Sequence, residues 1–247
     1  MTRWWNKTGG IGYHYLALRF RHNLWQDYLK FIEEFLFSIQ WFSSSKPKKL
    51  LLLGPSAGYT LPTAWLKGFS EILAIDFDPL APLLFKQIHG PLPIRWTKEN
   101  FFSDSSQDWR IDRLLALRQS FPDHLWFFTN LIGQLPLTLK KMSLHKEDQW
   151  LLWQQDWHQV LLERNWISLH DIFSVPFGIR SIAPFSQKWQ TVSKEELIQN
   201  ILKSREKAVV TDHLTHGLLP LQTRKELALW RIQPHQTQII EAATNIF

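Results

Sequence analysis

Residues 49–79 read KLLLLGPSAGYTLPTAWLKGFSEILAIDFDP, and this stretch decides the fold. Leu50-Leu51-Leu52-Leu53 is short and apolar on both faces, as a strand in a covered parallel sheet must be. Gly54 and Gly58 bracket a turn in which a side chain would block the approach of a ligand to the backbone. Pro62 falls in the first turn of the helix that follows, where its missing N–H costs nothing. Ile72-Leu73-Ala74-Ile75 is a second apolar strand, and Asp76 stands at its carboxyl end. The interval from Gly54 to Asp76 is close to the ~20 residues that separate a nucleotide-binding glycine turn from its ribose-binding acid. Strand, turn, helix, strand and terminal acid together predict a nucleoside-binding βαβ unit.

The turn itself narrows the nucleoside. A dinucleotide fingerprint needs glycine at its first, third and sixth places, and here the third is Ser56 and the sixth Tyr59. A P-loop is excluded because no Gly-Lys-Ser/Thr follows. The spacing resembles the first motif of the class I (Rossmann-like) S-adenosylmethionine-dependent methyltransferase superfamily, an acid and any residue ahead of Gly-x-Gly-x-Gly. On that resemblance Gly54, Ser56 and Gly58 fall on the three glycines, with Ala57 between them, and Asp76, followed by Phe77, falls on the acid that binds the ribose hydroxyls. Leu52 occupies the place of the family's first acid.

The remaining chain keeps step with that family. Pro93-Ile94-Arg95-Trp96 reads as a third strand, and Glu99-Asn100-Phe101 matches the place of the adenine-binding acid. The segment from His124 to Asn130 reads as a fourth strand leading into Leu131-Ile132-Gly133-Gln134, and Trp166 to Asp171 as a fifth. Leu227 to Ile232 and Gln238 to Ala243 are β-prone runs joined by a short Pro234-bearing turn. The resemblance spans roughly Leu50 to Ala243. It implies an α/β fold, a seven-stranded mixed sheet with helices on both faces and an antiparallel C-terminal hairpin. Residues 1–48 form an N-terminal arm and helical lead-in, and 49–247 the methyltransferase-like domain. Tyr13 to Phe42 is read as helix, since Leu24, Tyr28, Phe31, Ile32, Phe35 and Ile39 recur at spacings of three and four. Trp150, Trp153, Trp157 and Leu161 continue such a stripe within a helix over Ser143 to Arg164. Ser174 to Val192 reads as an insertion rather than sheet, and Lys194 to Lys207 as a charged amphipathic helix.

Bulk composition bounds the chemistry. The 247 residues contain no cysteine, which excludes disulfides, thiolate nucleophiles and thiol-ligated metal. No run approaches the ~18 apolar residues that span a bilayer, so no membrane partner and a cytoplasmic location are expected. The net charge of +6 comes from scattered lysines and arginines, a pattern that serves solubility more often than phosphate binding, so a nucleic-acid partner is not favoured. Asp212, His213 and His216 are close in sequence but lack a second ligand cluster, and no metal is expected.

The resemblance implies S-adenosylmethionine as cofactor, held by Gly54, Ser56, Ala57, Gly58, Asp76, Phe77, Asn100, Phe101 and Asn130. Methyl transfer is an in-line displacement that depends on holding acceptor and methyl close and aligned, with a base only where the acceptor must lose a proton. Acceptor sites in such sheets lie beyond the carboxyl ends of the strands. Asn130 and His170, at the ends of the fourth and fifth strands, are the catalytic candidates there, with His14 from the arm. Tyr13, Arg19 and Gln134 are the acceptor-binding candidates. His170 and Asp171 are adjacent on a strand and point to opposite faces, so they are not read as a dyad. Leu131-Ile132 stands where amino-methylating members carry Pro-Pro, so an exocyclic-amine acceptor is not supported. The expected activity is methyl transfer to a small molecule. Methylation of nucleic acid or protein is the second reading, and a non-catalytic binding protein on the same fold the third.

Overall fold

A computed structural model describes residues 10–39, 48–99, 112–133, 147–162, 164–176, 210–213, 215, 218–220 and 223–246, with 196, 198 and 199. The strands are β1 (Lys49–Leu53), β2 (Glu71–Asp76), β3 (Ile94–Lys98), β4 (His124–Thr129), β5 (Trp166–Val175), β6 (Thr211–Asp212), β7 (Arg224–Gln233) and β8 (Gln236–Thr244). They form one sheet in the order β3-β2-β1-β4-β5-β8-β7, with β6 pairing β5 off that path. The pairs from β3 to β5 are parallel, whereas β8 runs antiparallel to both β5 and β7. This is the Rossmann-like sheet of the methyltransferase fold, closed by an antiparallel hairpin as the sequence predicts.

The sheet departs from the sequence reading most at β5. β5 runs on to Val175, four residues beyond Asp171, because its pairing with β8 continues to Val175↔Thr237. β4 pairs β5 only as far as Leu169, so the far half of β5 leaves an edge that Thr211 and Asp212 take up. The sheet therefore has eight strands, not seven. Ser174 and Val175 belong to it rather than to an insertion.

Alternation along the strands sorts the core into two layers. Leu50, Leu52, Phe127, Ile167, Leu169 and Ile240 face one side, while Leu51, Leu53, Trp126, Phe128, Trp166 and Ala243 face the other. The first layer is covered by α1 (Ile11–Phe20), α2 (Gln26–Ser38), α3 (Thr63–Leu66) and α4 (Ala81–His89). The second is covered by α5 (Asp112–Ser120) and α6 (Glu147–Leu162), through Leu114, Trp157 and Leu161. Trp150 and Trp153 carry the rest of the expected α6 stripe, but their side chains lie outside the described residues, as does nearly all of Lys194 to Lys207.

The lead-in is a pair of helices rather than one. A turn over 21–25 separates α1 from α2, and the Gln26 side-chain amide donates to the Arg21 carbonyl there at 2.7 Å. The break swings Trp25 inward, where it is fully buried and its Nε1–H donates to the Ile232 carbonyl at 3.1 Å. Tyr13 and Trp25 stack at 6.0 Å, Trp25 meets Trp230 edge-on at 5.0 Å, and Tyr28 stacks on Trp230 at 4.9 Å. Aromatic pairs of this kind contribute beyond their area burial. Truncation of Trp25 leaves a cavity at the centre of this cluster and an unpaired Ile232 carbonyl. Trp25→Ala should cost about 3–5 kcal/mol in denaturant unfolding, as core aromatic truncations do.

Candidate functional site

The carboxyl ends of β1, β4 and β5 open onto a cleft of about 60 Å³, lined among others by Tyr13, Tyr28, Gly54, Ser56, Asn130 and Trp230. β1 ends in a turn made of left-handed backbone, with φ of 70° at Gly54, 48° at Ser56 and 65° at Gly58. Ser56 and Asn130 (φ 58°) are the non-glycine residues with positive φ among those described, and both line the cleft. Such conformations cost energy and persist where the surroundings enforce them.

The enforcing group at Ser56 is Asp76. One carboxylate oxygen of Asp76 accepts the Ser56 N–H at 2.6 Å, and the other accepts the Asp78 N–H at 2.9 Å. Burial pushes the Asp76 carboxyl up, and the hydrogen bonds from Asp78 and Ser56 only partly offset this. Asp78 in turn accepts His14 Nε2–H at 2.8 Å, while His14 Nδ1 meets the Tyr59 hydroxyl at 3.1 Å. Burial alone would raise the Asp78 carboxyl, but the hydrogen bonds from His14 and the Leu80 N–H outweigh it and hold it low. Burial, reinforced by the nearby Asp78 charge, pushes Tyr59 up to about 12, so its hydroxyl stays neutral. The expected residues Ser56, Asp76 and His14 thus share one network. Asp78 and Tyr59 belong to it too, although the sequence reading passed them over. The i, i+2 spacing in Asp76-Phe77-Asp78 was the available signal, because it can turn both acids toward the same loop.

Gly58 has a packing role. A Cβ there would lie 2.5 Å from Phe85 and 2.8 Å from His89, so this glycine lets the turn pack on α4. His89 Nε2–H donates to the Gly58 carbonyl at 3.0 Å, and burial lowers the His89 pKa to about 4, which keeps the ring neutral. Ala57 is buried in the core, whereas Phe77 is 55% exposed beside Asp76. Gly58→Ala combines a steric clash with left-handed strain, and should destabilise the protein by roughly 2–4 kcal/mol in thermal or denaturant unfolding.

The β4 and β5 ends meet through Asn130 and Asp171. Asn130 Nδ2–H donates to Asp171 Oδ2 at 3.2 Å, and the Asp171 N–H donates back to Asn130 Oδ1 at 3.2 Å. The approach depends on Gly133, where a Cβ would lie 2.7 Å from Asn130 Oδ1 and 3.0 Å from the Asp171 nitrogen. Asp171 is fully buried, and its Oδ1 has no hydrogen-bond partner among the described residues. Burial raises its carboxyl to about 6, with the nearby His213 and the Asn130 hydrogen bond pulling the other way. Gln238 Oε1 and Trp230 Nε1, on two residues that line the cleft, are also buried without partners among the described residues.

Other expected residues do not join the cleft. His170 sits on the opposite side of the sheet, fully buried, with Nδ1 3.0 Å from Ser168 Oγ and Nε2 3.8 Å from Glu241. Burial first, and the nearby Lys225 charge second, hold its pKa near about 3. The strand alternation that separates His170 from Asp171 puts the acid, not the imidazole, on the cleft side of the sheet. Arg19 lies on the exposed side of α1, donating to the Tyr15 hydroxyl at 2.7 Å. His213 is buried against Ser174 Oγ at 2.7 Å. Asn100, Phe101, Gln134 and His216 lie outside the described residues.

No protein-family pattern and no curated protein matches the sequence. Solved structures with a similar trace include a SAM-dependent methyltransferase from Anabaena variabilis, with 9% identity over 81% of this chain and 77% of that one and a TM-score of 0.42. An N-methyltransferase from Bradyrhizobium japonicum in complex with S-adenosyl-L-homocysteine is 11% identical over 86% of both chains, with a TM-score of 0.36. The magnesium protoporphyrin IX methyltransferase of Synechocystis is 9% identical over 98% of this chain and 88% of that one, with a TM-score of 0.39. At these values the assignment of the fold rests on the strand order and the closing hairpin.

The buried Asp171 carboxyl makes stability depend on pH. Its folded pKa lies above the unfolded value, so the folded state keeps a proton that the unfolded state releases, and stability falls as pH rises between about 4 and 6. His89 and His170 are shifted down and act in the opposite sense, losing stability as pH falls below about 6.5. Comparison with Asp171→Asn isolates the acid. From pH 7.5 to 4.5 the difference in unfolding free energy should move in favour of the unmutated protein by about 2 kcal/mol.

Proposed function

We propose that the protein is an S-adenosylmethionine-dependent methyltransferase acting on a small-molecule acceptor. The observation that carries the reading is Asp76, a carboxylate at the end of β2 whose two oxygens are oriented by the Ser56 and Asp78 N–H groups beside a left-handed glycine turn. Each oxygen keeps a lone pair for a ribose hydroxyl. The exposed Phe77 ring next to it offers an apolar face for adenine, and Gly54 keeps the turn free of a side chain. These residues fit the adenosine end of the cofactor, with Asn100 and Phe101 as its further expected partners.

When bound, the cofactor supplies an electrophilic methyl group on a sulfonium. The chain's own share is placement. Gly54 and Ser56 shape the floor at the end of β1, the Asn130 side chain projects from the end of β4, and Tyr13 and Tyr28 close the cleft from α1 and α2. His14 serves this arrangement as a positioning residue, since it locks α1 to the Asp78 end of the cofactor loop.

A second reading, a non-catalytic binding protein on the same fold, is favoured by Leu52. That residue is fully buried where the family carries an acid, so the floor lacks one anchoring charge. Calorimetric titration with S-adenosylmethionine and S-adenosylhomocysteine separates the two. Loss of charge-assisted hydrogen bonds costs on the order of 1.5–3 kcal/mol each, so Asp76→Ala should weaken binding at least tenfold. Absence of any binding by the unmutated protein defeats the methyltransferase reading, and unchanged affinity in Asp76→Ala defeats the ribose assignment.

A further inference from the structure

We propose that the Asp171 end of the cleft is a binding site for the ammonium group of a small organic amine, and that this amine is the methyl acceptor. The acceptor assignment rests on the function proposed above, whereas the binding site stands on its own geometry.

Asp171 and Ile240 are register partners across β5 and β8, and Ile240 lines the cleft. On the β4 side Asp171 is tied to Asn130, another lining residue. The acid thus lies directly behind the cleft wall, between two lining residues and on the sheet face that Tyr13 and Tyr28 cover. Asn130 occupies Oδ2, which leaves Oδ1 as a buried acceptor with no partner among the described residues. Gln238 Oε1 is a second such acceptor, two residues from Ile240 on β8 and therefore on the same face. Leaving buried acceptors unpaired costs about 1–3 kcal/mol each, so a ligand that satisfies both gains from doing so.

The ligand that fits is one that donates. Among the described residues no Lys or Arg forms an ion pair with Asp171, and the nearby His213 and the Asn130 hydrogen bond offset its burial only in part. The walls are aromatic: Tyr13, Tyr28 and Trp230. Rings of this kind attract cations through their negative faces. An anionic acceptor would meet the carboxylate at a prohibitive desolvation cost, and a neutral hydroxyl would leave its charge uncompensated. A primary or secondary ammonium brings the charge that the carboxylate lacks and the N–H donors that these acceptors take, and it suits the rings. It differs from the exocyclic amine of a nucleobase, whose nitrogen is conjugated and uncharged.

The carboxylate also has a chemical task. An ammonium nitrogen has no free electron pair, so one N–H proton must first pass to Asp171, giving a neutral amine and a carboxylic acid. The nitrogen pair then forms the N–C bond to the methyl of a sulfonium donor. The C–S bond breaks with its electrons left on sulfur, which becomes a neutral thioether, and the positive charge moves to the methylated nitrogen. Burial poises Asp171 for this by raising its proton affinity.

The test is calorimetric titration of the full chain at pH 7.5 with isobutylamine and 2-phenylethylamine, against the matching alcohols, with and without S-adenosylhomocysteine. The amines should bind at least tenfold more tightly than the alcohols in one or both states. Asp171→Asn should abolish that preference while keeping a cooperative unfolding transition. Should that variant fail to fold, Gln238→Met should lower amine affinity several-fold and leave alcohol affinity unchanged. Equal binding of amine and alcohol, binding of neither, an amine preference that survives in Asp171→Asn, or an unchanged amine affinity in a folded Gln238→Met overturns the site. Where S-adenosylhomocysteine binds but the amines do not, the amine site falls and the methyltransferase reading stands. Where the amines bind but S-adenosylhomocysteine does not, the site stands and the methyltransferase reading falls.

Discussion

The carboxylate of Asp76 holds the working end of this molecule together. It ties the turn after β1 to the end of β2 by taking one backbone N–H from each, and so fixes the left-handed geometry at Ser56. Everything further out depends on that clamp. The Asp78 backbone is placed by it, the Asp78 side chain then receives His14, and His14 brings α1 across the strand ends. A buried acid with few hydrogen bonds would be a liability, because desolvation favours its neutral form. Here each oxygen has a fixed donor, which offsets part of that penalty.

The second constraint is aromatic. α1 and α2 are joined to the C-terminal hairpin through Tyr13, Trp25, Tyr28 and Trp230, which contact one another in stacked and edge-on pairs. This cluster closes the cleft with packed helix rather than with loop. It also gives the site a split character, with an acid-clamped turn on the β1–β2 side and an aromatic, carboxylate-backed wall on the β5–β8 side.

The sheet was legible in the sequence because its strands are short apolar runs with acid or glycine at their ends, and the closing hairpin because a Pro-bearing turn separates two β-prone runs. Asp76 was legible for the same reason, as an acid at a strand terminus. The rest depended on register and packing. Period-two alternation separates His170 from Asp171, but only the pairing of β5 with β8 says which of them meets the cleft. Gly58 carries the same letter as a ligand-facing glycine, yet Phe85 and His89 are what require it. The helical spacing of the lead-in continues through residues 21–25, so the break there is set by Trp25 seeking Trp230 and the Ile232 carbonyl, a tertiary demand that local periodicity cannot report.

That long-range contact carries a consequence for how the chain acquires its shape. The hydrogen bond from Trp25 to Ile232 joins residues 207 positions apart. At roughly 5–20 residues per second of synthesis, the α1–α2 pair waits roughly 10–40 s for the strand it docks on. During that interval Tyr13, Trp25 and Tyr28 lack Trp230, and the strand ends stand without that part of their cover. The cleft is therefore among the last features to form on the ribosome, and the N-terminal helices are where a chaperone would find the newborn chain most exposed.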